Sequence, residues 1–296
     1  MARILIAGCG DVGAALGLLL SAAGHTVWGL KRHPADLPGA IQPLAADLTD
    51  PATLSALPPA LDAVIYSAAA AGFSEAHYQA AYVEGVRNLL NALRQAGQSP
   101  QRLLFTSSTS VYAQQQGEWV DEEAPAEADG FSGRCLREGE QLMWRSGWPA
   151  AAVRFGGIYG PGRTRLIDSV RTGSATASAG PPIYTNRIHR DDAARVLAHL
   201  LEHPAPQPLY LAVDDDPAPL NQVLDWLADQ LGVSRPPRLA QPPVKPGAEI
   251  RRDSAMRLRA SKRCCNARLR TSGFQFRYPS YRQGYAALLS GCAPAA

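Results

Sequence analysis

The chain has no stretch near the roughly 18–20 uninterrupted apolar residues that a membrane-spanning helix needs, although apolar residues make up 46% of it. A membrane partner is therefore not expected. Its five cysteines, Cys9, Cys135, Cys264, Cys265 and Cys292, lack metal-ligand spacing. Adjacent Cys264 and Cys265 differ from the Cys-x-x-Cys of zinc and redox sites, so no metal is expected. The odd count and irregular spacing favour reduced thiols. Charge of one sign is not in excess: a net +3 gives no reason to expect nucleic acid. The N-terminus lacks the basic, apolar and cleavage segments of a signal peptide, because a strand-like run starts at Arg3 and is broken by Gly8, Gly10 and Asp11. A cytoplasmic location is the expectation. There is no internal repeat and no low-complexity tract. Between Tyr112 and Tyr159 there is neither tyrosine nor lysine, so that stretch holds no phenol and no ammonium group.

What is present alternates. Ile4–Ala7 is strand-like and is followed by Val12, Leu16, Leu19, Leu20 and Ala23 on one helical face. Thr26–Leu30 and Ala63–Tyr66 read as strands, residues 75–96 as a helix with Tyr82, Val86, Leu89, Leu90 and Leu93 on one face, and Arg102–Thr106 as a buried strand. A helix over 134–146 and a strand over 150–154 follow, then helices over 191–202 and 220–231 with a strand over 208–213 between them. Such alternation predicts right-handed βαβ units and an α/β fold with a parallel sheet covered on both faces. The expected division is a dinucleotide-binding region over 1–157, continued by part of 185–215, and a smaller substrate-facing lobe over most of 158–296. Residues 234–248 are proline-rich and read as a connector. Residues 251–270 carry eight Lys/Arg against one Asp, read chiefly as a solvated surface.

Gly8, Cys9, Gly10, Asp11, Val12 and Gly13 form a Gly-x-Gly-x-x-Gly between the first predicted strand and the first predicted helix, the context that gives the motif its mechanism. Gly8 permits the tight turn, Gly10 admits a pyrophosphate, and Gly13 lets helix pack on strand. The helix N-terminus then offers N–H donors to the phosphates. At the end of the second strand, where an acidic residue would bind the ribose 2′-hydroxyl of NAD, stand Lys31 and Arg32. NADP(H) is therefore the preferred cofactor, with NAD(H) still open. Asp47 and Leu48 follow the third predicted strand. Asp47 is a candidate acceptor for the adenine amino group, whereas Asp50, before Pro51, reads as a helix cap.

With these residues in place the chain resembles the extended, atypical short-chain dehydrogenase/reductase superfamily, in its NAD-dependent epimerase/dehydratase-like group. Val64 to Ala69, including Ser67, Ala68 and Ala69, is similar to the fourth-strand motif lining the dinucleotide. Phe105 to Tyr112, including Ser107, is similar to the serine-rich strand end, and Arg154 to Arg163, with Phe155, Gly156 and Gly157, to the loop over the nicotinamide. Ile188 to Asp192 resembles the start of a later helix. The resemblance implies a Rossmann doubly wound sheet, Ser108 as the active-site hydroxyl, and a homodimer through helices 75–96 and 134–146. Tyr82, Tyr112, Arg163, Asn186, Arg187 and His189 are substrate-side candidates.

The chain departs from the family at the Tyr-x-x-x-Lys pair. There a lysine ammonium one helical turn from a tyrosine lowers a phenol pKa of about 10 toward neutrality. In this chain those positions fall on Ser132 and Leu136. Ser132 stays a candidate of weak acidity, and Leu136 supplies no charge. His77, Tyr82, Tyr112 and Tyr159 are the alternative acids. Two functions stay open. One is an NADP-dependent oxidoreductase or epimerase-like enzyme with a non-standard site and a small polar substrate. The other is a non-catalytic NADP(H)-binding redox sensor.

Overall fold

Seven parallel strands form the central sheet in a computed structural model of the chain, whose described residues are 1–240 and 260–291. β1 (Arg3–Ala7), β2 (Thr26–Lys31), β3 (Gln42–Ala45), β4 (Ala63–Tyr66) and β5 (Arg102–Ser108) run in the order β3-β2-β1-β4-β5. The strands Ala150–Phe155 and Leu209–Ala212 complete the far edge. The order reverses at β1, and open sheets of this kind take ligands at the carboxyl ends of the strands beside that reversal. The proline-rich connector and the basic run lie partly, and Cys292 wholly, outside the described residues.

Alternate strand residues feed opposite faces. Leu5, Val64, Tyr66, Leu103 and Phe105 pack with Leu89, Leu90 and Leu136 on one side. Ile4, Ile6, Ile65, Leu104 and Val153 pack with Leu16, Leu20 and Leu197 on the other. Because both faces are covered there, the central strands β1 and β4 read as continuous apolar runs. Each large side chain buried in this way contributes roughly 1.5–3 kcal/mol. The periodic face of α1 (Asp11–Ala22) is one such layer, packed beside the helix Arg190–Glu202.

The helix predicted over 75–96 is interrupted. A wider π turn at Ala80–Glu84 separates Glu75–Gln79 from Gly85–Gln95. The Tyr66 hydroxyl donates to the Ala81 carbonyl within that turn.

A smaller cluster lies beyond the sheet. Tyr159, Ile167, Val223, Leu224, Leu227, Tyr281 and Tyr285 bring together the helices Arg165–Arg171, Leu220–Leu231 and Tyr281–Leu289. Gly232, at φ 67°, ends the middle helix in the left-handed conformation that glycine adopts without strain. Two short parallel pairings join this lobe to the sheet layer: Gly157–Tyr159 with Arg187–His189, and Glu118–Val120 with Lys262–Cys264. Among the described residues no helix is long and apolar enough to cross a membrane.

Candidate active site

A cleft of about 750 Å³ follows the carboxyl ends of the strands from β3 to Ala150–Phe155. Its size lies within the usual range for ligand pockets, about 300–1,000 Å³. The glycine turn forms its floor. Gly8 has φ +84°, and a Cβ there would lie 2.4 Å from the Ala68 backbone, so only glycine fits. A Cβ at Gly10 would meet nothing within 4 Å, which leaves open the approach a pyrophosphate needs. Gly13 packs the helix on β1, its Cβ position 3.0 Å from Ile6. No side chain caps α1, so its first N–H groups stay available to an anion. These features fit a bound dinucleotide.

Beside β2 and β3 the lining is charged. Lys31 donates from Nζ to both Asp36 oxygens, at 2.7 and 2.9 Å, and this bond is the main cause that draws the exposed Asp36 carboxyl below its ordinary pKa. Arg32 lines the same wall with no carboxylate hydrogen-bonded to it among the described residues. Asp47 Oδ1 accepts from the Thr49 N–H and hydroxyl, at 2.9 and 2.8 Å, and its pKa is lowered, first by that backbone hydrogen bond. Leu48 and Thr49 line the cleft next to it. Asp50 accepts from the Ala52 N–H and caps the following turn, as the sequence suggested.

Beside β5 the lining is neutral. Ser67, Ala68, Ala69, Ser107, Ser108, Tyr82, Leu136, Phe155 and Gly156 all reach the cleft. The Ser108 hydroxyl oxygen accepts from the Ser110 N–H at 3.2 Å, which leaves its proton available to a ligand. Ser107 donates to Glu140 at 2.6 Å. Glu140 in turn takes the Arg154 guanidinium through both oxygens, 2.8 and 2.7 Å, and Arg154 donates to Tyr112 at 2.8 Å. Glu140 and Arg154 are 1% and 4% exposed, so this pair belongs to the buried layer beneath the cleft. Burial raises the pKa of Tyr82, which makes it a poorer acid at neutral pH.

Several residues singled out from the sequence stand away from the lining. Ser132 is half-buried on the first turn of the helix Phe131–Trp144, while Leu136, one turn on, faces the cleft. The Cys9 side chain is buried under the turn, its thiol pushed up to about 11 by desolvation. Tyr112 donates to the Asp121 carbonyl at 2.7 Å and is pushed up to about 12 by burial. Asn186 donates to the Lys262 carbonyl and accepts from the Cys264 N–H, at 3.0 and 2.7 Å, so it ties the strand Lys262–Cys264 to the segment that precedes Arg187–His189. Arg187 is buried and donates to Thr185 at 2.5 Å. His189 is buried against Tyr278, and desolvation lowers its pKa. Gly157 lies beyond the lining at the start of its short strand.

Arg163 does line the cleft, but at the glycine turn: its Nε donates to Asp11 Oδ2 at 2.6 Å, while Arg190 donates to Oδ1 at 3.1 Å. Sequence reasoning missed Thr49 and the Ala80–Ala81 turn as lining residues. Their only signal was position, next to motifs already recognised.

The profile of the NAD-dependent epimerase/dehydratase family matches residues 4–211. The chain belongs to that family. It is an NAD(P)-dependent oxidoreductase or epimerase-like enzyme, so of the two functions left open by the sequence the enzyme stands. A Streptomyces protein, 3-diazoavenalumate denitrifying reductase, is 31% identical over 95% of this chain and 98% of its own. The NAD-dependent epimerase/dehydratase structure from Methylobacillus flagellatus is 39% identical, covers 98% of both chains and superposes with a TM-score of 0.78. At the level of fold alone, similar structures are the human epimerase family protein SDR39U1 with NADPH and Bordetella bronchiseptica WbmG with NAD. The first is 21% identical with a TM-score of 0.77 over 95% of this chain and 97% of its own, and the second 18% with 0.78 over 98% and 93%.

Proposed function

We propose that this enzyme is an NADP(H)-preferring reductase whose substrate accepts hydride without needing a proton from the protein. The observation that carries this reading is Leu136, a buried hydrocarbon on the cleft wall at the position that resembles the family's lysine. A carbonyl substrate builds up alkoxide charge as hydride arrives, and a positioned acid is worth typically about 10²–10⁴-fold there. A cationic acceptor loses charge instead. When bound, the reduced nicotinamide supplies the hydride. Phe155 and Leu136 exclude water from the neutral end, Ser108 donates a hydrogen bond to a polar substituent of the substrate, and Ser107 is held by Glu140 as part of the wall.

The name of the Streptomyces relative joins a diazo substrate to loss of nitrogen. An arenediazonium takes a hydride at the carbon bearing nitrogen and releases dinitrogen, so charge and atoms balance with no proton donor. That chemistry suits a site lacking the tyrosine–lysine pair. NADP(H) preference rests on Arg32, which is not hydrogen-bonded to any carboxylate among the described residues, and less on Lys31, which Asp36 already holds. The test is NADPH oxidation with an arenediazonium and, separately, with simple aldehydes and ketones. Turnover of the diazonium alone is expected. Faster turnover of the carbonyls would overturn the reading.

A further inference from the structure

Asp11 sits at the first residue of α1, the point where a pyrophosphate would meet the helix N-terminus. A carboxylate is favoured there by the helix dipole, yet its charge opposes the phosphates the turn is shaped to admit. Two arginines answer it from far along the chain, Arg163 by 152 positions and Arg190 by 179. They differ in what else they do. Arg190 also donates to Asp191 at 2.8 Å and is 22% exposed, whereas Arg163 is 43% exposed, lines the cleft, and gives Asp11 only its Nε. Both terminal amino groups of Arg163 are left without a carboxylate among the described residues. The turn from Gly160 to Arg163 is itself bridged, with the Arg163 N–H donating to the Gly160 carbonyl at 2.9 Å. The guanidinium is therefore presented from a formed loop.

We propose that Arg163 is a cofactor-binding residue that grips the dinucleotide pyrophosphate, and that Asp11 is the counter-ion holding the guanidinium over the turn until the phosphates arrive. This rests on the dinucleotide-binding part of the functional reading above and moves Arg163 from the substrate to the cofactor. An exposed arginine–carboxylate pair is weak, so the exchange costs little. A planar guanidinium matches phosphate oxygens two at a time. Asp11 is then spared direct repulsion because Arg190 still covers it.

The test is calorimetric binding of NADPH, NADH, ADP and 2′-AMP to the wild-type chain and to Arg163→Ala, Arg163→Lys and Asp11→Asn, with melting curves as a control. Arg163→Ala should weaken NADPH, NADH and ADP by about ten-fold or more and leave 2′-AMP, which has no pyrophosphate, unchanged. Arg163→Lys should recover part of the loss. Asp11→Asn should tighten ADP several-fold, and this gain should shrink in the Arg163→Ala background. Unchanged ADP binding in Arg163→Ala overturns the proposal, as does an equal loss for 2′-AMP. A fall in turnover with unchanged dinucleotide binding returns Arg163 to the substrate. If the wild-type chain binds none of the four, the functional reading fails first and the proposal with it.

Discussion

Charged groups occur at both ends of the cleft, but in different states. Beside β2, β3 and α1, Lys31–Asp36 and Arg163–Asp11 are open to solvent. Beneath β5, Glu140 and Arg154 are paired through two hydrogen bonds to one guanidinium and shut away from water with Ser107 and Tyr112. Surface pairs of the first kind are worth about 0–1 kcal/mol and exchange readily for a ligand. A buried pair exchanges for nothing, because separating it strands a charge in the interior. The enzyme thus keeps exchangeable charge where an anionic cofactor would lie and locks away the charge nearest the position where hydride would move.

The sharpest break in this contrast is removal of one buried partner. Glu140→Ala should cost roughly 3–5 kcal/mol in denaturant unfolding, since Arg154 is left unpaired. Replacing Glu140 and Arg154 together by leucine and methionine should cost much less than either single change. If Glu140→Ala melts like the wild type, the two ends do not differ in the way described. Next in size is Arg32→Ala, expected to weaken NADPH by roughly 10–100-fold, the worth of a hydrogen bond to a charged group, with NADH little affected. Equal weakening of both cofactors would remove the argument for NADP(H). Lys31→Ala should do less, a loss of about two- to five-fold for NADPH, because Asp36 already engages the ammonium. A Lys31 effect as large as that of Arg32 would show that the pair opens when cofactor binds.

The smallest expected effect concerns Asp214, a buried carboxylate without an ion-pair partner among the described residues. Desolvation, its largest influence, holds its pKa well above the ordinary carboxylate value despite Arg187. The folded state therefore binds more protons than the unfolded chain between the two pKa values, so this group's contribution to stability falls as pH rises above the ordinary aspartate range. Asp214→Asn should flatten that fall in melting curves taken from pH about 4 upward. An unchanged slope would show that Asp214 is ionised in the fold.

Local pattern made the sheet legible. Val12, Leu16 and Leu20 announce α1 by spacing, and β4 was readable to the residue because every position in it is buried and apolar. The glycine turn was legible because its residue types are dictated by backbone geometry. Pairings made by the fold were not. Nothing near Asp11 points to Arg163 or Arg190, and nothing near Asn186 says that its amide will tie down Lys262 and Cys264 instead of facing a substrate. The π turn was hidden for the same reason: the Tyr66 hydroxyl that bonds to it comes from a neighbouring strand. Tyr112, Arg187 and His189 carry the right groups for a substrate site, but they are buried among internal neighbours, and burial of a polar side chain leaves no periodic trace. The helix Tyr281–Leu289 went unread because its buried face is short, just Tyr281, Gly284 and Tyr285.

The pairing of Glu118–Val120 with Lys262–Cys264 has a consequence for how the protein is made. The two strands are 144 positions apart, and Lys262, 3% exposed, donates to the Tyr112 carbonyl at 3.2 Å. A ribosome delivers the first strand long before the second, at about 5–20 residues per second. The five strands from β1 to β5 can assemble during that interval, since their neighbours have already emerged. The edge at Glu118–Val120 cannot be covered by Lys262–Cys264 until another 144 positions have been added, so the nascent chain carries an open strand through that interval, and contacts of such long separation are the slow ones to close.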